Sequence, residues 1–349
     1  MVTAHLKNAC CWSAYHTGLL GLTAGLVEPR HATPGNRRFQ IVMYHRVSAD
    51  GDAYVPATSV SGFERHMRFI RQHLHPMSLT DLLMAAERRE IPPRAVAVTF
   101  DDGYADVFVH AWPILRRYEI PATVYVTTGL VDQDGSMFND RIGVAIRDTS
   151  RREIQPLHDL GPLPLQTPHQ RQFALQKILE VLKRRPPIER DALTAEIVRM
   201  LNVVADKGPR MLRWEQVAEM HAAGVDVGAH TVHHPILRSL SAEDAWREIT
   251  ESKRVVEERL QTAVRHFAYP NGTARDFDAT TQELVRRAGF SSAVSTIFGV
   301  NTADTNRYAL RRGGPWEEDA AVFGVKLWWY RWKAESGPDP GSSLGAVPP

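Results

Sequence analysis

Two short stretches of the 349-residue chain carry side chains that can do chemistry together. The first is Val96-Ala97-Val98-Thr99-Phe100-Asp101-Asp102-Gly103-Tyr104. It opens as a buried strand of apolar and β-branched residues and stops in two carboxylates and a glycine that frees the backbone to turn. Successive strand residues point to opposite sides, so one acid can hold a metal while the other handles a proton. Taken alone, Asp-Asp-Gly is also an ordinary polar turn. The second stretch is a strand at 225–229 that runs straight into His230-Thr231-Val232-His233-His234-Pro235. With one helical step in that turn, His230 and His234 face the same way and grip one cation, with His233 rotated away. An isolated H-x-x-x-H is a histidine-rich surface turn. Beside a spare strand-end carboxylate it becomes a His₂Asp facial set with Asp102, with positions left open for water and substrate.

The elements around these stretches must bring the strand ends together. The pattern predicts a first strand over 39–47, a helix over 59–74 capped by Ser61, and a helix over 78–89. After the acidic strand come a helix over 105–118, kinked or broken at Pro113, and a strand over 122–126. This β-α alternation points to a parallel sheet with helices outside. Residues 131–210 break it: an irregular Gly-, Pro- and Asp-containing stretch precedes helical periodicity over 172–182 and 189–203, split at Arg185-Pro186-Pro187. The region reads as a partly helical insertion of the kind that builds substrate grooves. Alternation resumes with helices over 213–223, 241–260 and 277–288 and strands over 225–229, 266–269, 291–295 and 307–312. His45, at the end of the first strand, is within reach of a strand-end site, although a lone histidine there is more often a structural residue.

Apolar and charged fractions are those of a soluble globular protein, and a net charge of +2 spread along the chain leaves no nucleic-acid footprint. Cys10 and Cys11, adjacent and without others, form neither a disulfide framework nor a zinc cage. The apolar stretch 12–27 is too short and polar to span a bilayer and lacks a clean cleavage site. It reads as an amphipathic helix that packs on the domain or lies on a membrane surface. The aromatic run 327–332 covers the domain or sits at a membrane interface. The expected layout is an N-terminal helix and linker over 1–37, one catalytic domain over 38–332, and a disordered tail over 333–349. A cytoplasmic or membrane-peripheral location is expected over secretion.

Thr99-Phe100-Asp101-Asp102-Gly103-Tyr104 and His230-Thr231-Val232-His233-His234-Pro235 resemble the first two signature motifs of the polysaccharide deacetylases, the NodB-homology or carbohydrate esterase family 4 proteins. Phe267-Ala268-Tyr269-Pro270-Asn271-Gly272 resembles the third motif in its exopolysaccharide-type variant. The resemblance implies a distorted (β/α)7 TIM-like barrel with its site at the C-terminal strand ends. It assigns Asp102, His230 and His234 to a divalent metal, zinc ahead of cobalt, nickel or manganese, and Asp101 to the general base. The metal would activate a water and polarise the acetyl carbonyl, with the oxyanion also held by the Asn271 N–H. Tyr104, Tyr269, Pro270, Asn271 and Gly272 would line the sugar groove.

Two departures stand out. The slot where many relatives carry an arginine that orients the base is Ala268, which leaves Arg312, ahead of its neighbour Arg311, as the replacement. No histidine follows His266, so the usual late general acid is missing, and water, Asp101 returning its proton, or His45 remain for that step. The implied function is metal-dependent removal of N-acetyl groups from an amino-sugar polysaccharide or its lipid-linked precursor. The alternatives are an O-acetyl esterase of the xylan type and a carbohydrate-binding protein that keeps the fold without turnover.

Overall fold

The computed structural model describes residues 37–155, 160–203, 208–314 and 317–333, so the helix expected over 12–27 and nearly all of the expected tail lie outside the described residues. Strands β1 (Gln40–Tyr44), β2 (His75–Pro76), β3 (Ala95–Phe100), β4 (Ala122–Val126), β7 (Asp226–Ala229), β8 (His266–Ala268) and β9 (Ser292–Val294) form one parallel sheet. Its order is β1-β3-β4-β7-β8-β9, with the short β2 beside β3. The sheet curls into a half-barrel with helices outside.

The alternation of β3 decides where the acids point. Val96, Val98 and Phe100 pack in the large core beneath the outer helices, whereas Ala95 and Ala97 pack in a smaller core inside the curl with Ile41, Tyr125, Ala268 and Val294. Asp101 continues the inner series, and its N–H still bonds Tyr44 O at 3.0 Å. Past it the chain turns, with positive φ at Asp102 (75°) and Gly103 (86°). Residues 210–212 then pair across the turn through Ala105 N–H to Arg210 O and Leu212 N–H to Gly103 O.

The helices packed against the sheet are α1 (Val60–His73), α2 (Leu79–Glu87), α3 (Trp112–Arg117), α7 (Trp214–Ala222), α8 (Ala242–Leu260), α9 (Ala279–Arg287) and α10 (Ala320–Lys333), and α2 puts Leu79, Leu82, Leu83 and Ala86 into the smaller core. Ser59, rather than Ser61, caps α1, accepting from Gly62 N–H, and Ser241 caps α8 as expected. The helix over 105–118 is interrupted at Pro113, a break rather than a kink. Because the proline has no N–H to give, a π-helical turn (Val107–Ala111) precedes it, Trp112 N–H bonds back to Val107 O, and α3 begins there.

No strand forms over 307–312; Leu310 makes an isolated bridge to Val294. The segment nevertheless joins the sheet's two ends. Ala293 N–H bonds Arg307 O and Ser295 N–H bonds Leu310 O on the β9 side, while Gly313 N–H bonds Ile41 O on the β1 side. The aromatic run lies within α10, where Leu327 and Trp328 are buried and Trp329 is exposed; Gln40 Nε2 donates to Leu327 O. Among the described residues no helix is long and apolar enough to cross a membrane.

Residues 131–210 contain α4 (Phe138–Asp148), a small hairpin of β5 (Glu153–Ile154) and β6 (Leu163–Pro164), α5 (Pro168–Leu182) and α6 (Pro187–Met200). These elements bury an apolar cluster of their own, including Ile142, Ile146, Leu165, Ile178 and Ile197.

Candidate active site

Asp101 and Asp102 leave β3 in different directions and meet different company. Arg312 grips Asp101 with both arms, Nη1 to Oδ1 at 2.7 Å and Nη2 to Oδ2 at 2.5 Å. Its Nε donates to Ser295 O and its Nη1 also to Thr99 Oγ1, so the guanidinium is fixed by both walls of the curl. Arg312 is fully buried and Asp101 nearly so. Removing one partner of such a pair strands a buried charge, at about 3–5 kcal/mol. Burial raises the Asp101 pKa, but the Arg312 charge and hydrogen bonds outweigh it and hold the carboxyl below its usual value.

Asp102 turns to the histidines. Its Oδ1 lies 3.3 Å from His230 Nε2 and 3.3 Å from His234 Nε2, yet accepts a hydrogen bond from neither. Three donor atoms within 4.8 Å of one another, buried and aimed together without bonding, fit a cation between them. Tetrahedral ligands at about 2.0–2.1 Å from zinc stand roughly 3.3–3.4 Å apart, the spacing of Asp102 Oδ1 from each histidine. His230 Nδ1 lies 2.7 Å from Ala268 O; an N–H there leaves the Nε2 lone pair free for a metal. Burial pulls both imidazoles down, and at His234 it prevails; at His230 the Asp102 and Asp101 carboxylates prevail and lift the pKa. A cation in place of the His230 proton meets the same negative field. The two facing imidazoles also hold Asp102 well below its usual value against burial.

The histidine turn is not a helical step. Thr231 and His234 have positive φ (65° and 57°), rare for any residue but glycine and strained for a β-branched one. Of ten such residues among those described, Asp102, Thr231, His234 and Asn271 sit at this site. Clasps on several sides hold the turn. Thr128 and Gly129 N–H bond Thr231 O and Val232 O. Glu248 of α8 takes the N–H of Val232 and His233 and the His233 ring, at 2.9, 2.9 and 2.8 Å. Arg190 of α6 donates to His233 O at 2.9 Å and His234 O at 3.3 Å. Neither Glu248 nor Arg190 stands out in the sequence, because each acts on backbone far away in the chain.

Asp101, Asp102, His230 and His234 line a cavity of about 140 Å³. His45, Asn271 and Thr296 line it from the barrel side. Asn271, at φ 57°, accepts at its O from Thr296 Oγ1, and its N–H has no acceptor among the described residues. Met137, Phe138, Asn139 and Lys183 line it from the insertion.

The two tyrosines do not line it. Tyr104 is buried, its OH donating to Asp140 Oδ2 at 2.8 Å. Tyr269 is buried, stacked on Phe277 at 4.2 Å with its OH donating to Tyr308 O. Both rings support the site from beneath. Of the third motif, Asn271 reaches the cavity; Pro270 and Gly272 form its turn, and Gly272 N–H bonds Pro270 O.

A family profile described as polysaccharide deacetylase matches residues 88–293, more than half of the chain. A putative polysaccharide deacetylase of Bacillus subtilis, YxkH, is 22% identical over 279 residues, covering 79% of this chain and 70% of that protein. The poly-beta-1,6-N-acetyl-D-glucosamine N-deacetylase of Staphylococcus aureus is 28% identical over 106 residues, which is 30% of this chain and 34% of the relative. Among solved structures, IcaB from Ammonifex degensii is similar in fold, with a TM-score of 0.55 at 22% identity over 83% of this chain and 98% of that one. The Streptococcus pyogenes deacetylase PplD, solved with acetate, gives 0.54 at 20% identity over 79% and 92%.

Proposed function

Because the chain belongs to the polysaccharide deacetylase family, we propose that it removes N-acetyl groups from an amino-sugar polysaccharide by attack of water on the acetyl carbonyl. The observation that carries this reading is the division of labour between adjacent carboxylates: Arg312 holds Asp101 while Asp102 turns to two imidazoles.

A divalent cation held by Asp102, His230 and His234, zinc first among the candidates, would supply Lewis acidity to the carbonyl and to a water. The remaining work falls to the chain's own groups. Asp101, kept ionised by Arg312, has lone pairs left on both oxygens and takes the proton of the attacking water. Arg312 fixes the plane of that carboxylate, so the base is aimed before substrate arrives. The unpartnered Asn271 N–H donates to the oxygen that gains charge. Phe138 and Met137 give the cavity an apolar side against which an acetyl methyl can sit.

The staphylococcal relative's name makes β-1,6-linked N-acetylglucosamine the first polymer to try. The test is acetate release from β-1,6- and β-1,4-linked N-acetylglucosamine oligomers and from acetylated xylan. Release from the N-acetylated oligomers, with xylan at least about tenfold slower, is expected. Release from xylan alone would replace this reading by an O-acetyl esterase.

A further inference from the structure

Lys183 is the only lysine or arginine lining the cavity among the described residues. It ends α5, where the chain turns toward α6 through Arg184 N–H to Val181 O and Arg185 N–H to Leu182 O. Leu182 beside it is fully buried in the insertion's own core, so the backbone that carries the lysine is anchored. Lys183 is half-buried, and no hydrogen bond or ion pair to its Nζ occurs among the described residues. An ammonium with no protein acceptor, on the wall of a cavity that holds a base and a metal-ligand set, is free to meet an atom of the substrate.

We propose that Lys183 is the proton donor to the departing amine, the part left vacant by the missing late histidine. This rests on the deacetylase reading above. As water's oxygen bonds the acetyl carbon, its proton passes to Asp101. As the C–N bond breaks, its electron pair goes to the sugar nitrogen, which takes a proton from Lys183 Nζ. Acetic acid and the free amine leave, and the Asp101 proton returns to the neutral lysine through solvent, so atoms and charge balance.

The surroundings suit a donor. Burial lowers the Lys183 pKa, while the fields of Asp276 and Asp102 oppose it. Asp276 is engaged by Thr273 N–H and Oγ, at 2.8 and 2.6 Å, and does not claim the ammonium. The carbonyl end of α5 favours a cation at this position. The other titratable groups facing the cavity are Asp101, Asp102, His45, His230 and His234, all carried by the barrel rather than the insertion. Base and acid thus come from different parts of the chain, one facing the attacking water and the other the departing nitrogen.

The test compares Lys183→Met and Lys183→Arg with wild type on an N-acetylglucosamine oligomer and on 4-nitrophenyl acetate, with metal content and melting temperature measured alongside. An aryl acetate expels a phenolate that needs no proton, whereas the amide needs one. The ratio of amide to aryl-ester turnover should fall about 100-fold in both variants, since arginine keeps the charge but cannot give up its proton. An unchanged ratio, or a ratio restored by Lys183→Arg, would overturn the proposal. A wild type that cleaves the aryl acetate but leaves every N-acetylated oligomer intact would instead overturn the deacetylase reading.

Discussion

The strand ends of the barrel and the insertion at 131–210 line one cavity, but they hold their side chains in different ways. At the strand ends the backbone itself is committed. Four non-glycine residues take positive φ, and the turns are clasped through Thr128, Gly129, Glu248 and the bridge of 210–212. Strain of this kind persists only where the surroundings over-determine it, and it fixes donor atoms to within the tolerance a cation needs. The insertion has ordinary helices, a core of its own, and a wall of Met137, Phe138, Asn139 and Lys183. Such a wall can change its residues without disturbing the metal donors. The metal-ligand set and the base thus stand at the strand ends, and the proposed proton donor Lys183 stands in the insertion's wall.

The two regions are nevertheless stitched together, and the stitches are where the comparison can be tested. Arg190 reaches from α6 to the carbonyls of the histidine turn. If the insertion only shapes substrate, Arg190→Met leaves metal binding untouched. If its guanidinium helps aim His234, metal affinity falls about 10- to 100-fold, the usual cost of losing an outer support of a ligand. We expect the latter, read by competition with a chelator.

An effect on stability is expected at the seam where Tyr104, in the turn after β3, meets Asp140 of α4. Burial raises the Asp140 pKa to about 7, although the Tyr104 hydrogen bond opposes it. The folded state therefore keeps a proton that the unfolded chain, with its carboxyl near 3.8, has already lost. Stability should fall as pH rises from about 4 to 7, by up to about 1.4 kcal/mol per pH unit for one linked proton. In Asp140→Asn the denaturation midpoint should lose that part of its slope. An unaltered slope would show that the seam does not store the proton.

Much of the barrel was legible because its strands alternate or run continuously apolar and end in glycine, aspartate or proline, so β4 matches its expected bounds. The cluster of Asp102, His230 and His234 was legible because these ligand-type residues follow closely on the ends of β3 and β7. The shape of the turn that presents the histidines was not, since nothing in Thr231 or His234 announces a positive φ. Arg312 was found by asking what replaces Ala268, whereas Tyr104 and Tyr269 were misplaced because an aromatic ring suits a groove and a core equally well. In α4, Gly143 looks like a loop residue, yet it is the place where Tyr54 O approaches so closely that a Cβ would collide. Lys183 and Arg190 carry no local signal at all; only the packing of α5 and α6 brings them to the site.

The division of labour between the two aspartates is tested most directly by Asp101→Asn, assayed for bound divalent metal and for acetate release from an N-acetylglucosamine oligomer on the same sample. The variant should keep about one cation per chain and lose about 10³-fold in acetate release. Release within a few-fold of wild type with the cation still bound would contradict Asp101 as the base, and loss of the cation would contradict the assignment of the metal to Asp102 with the two histidines.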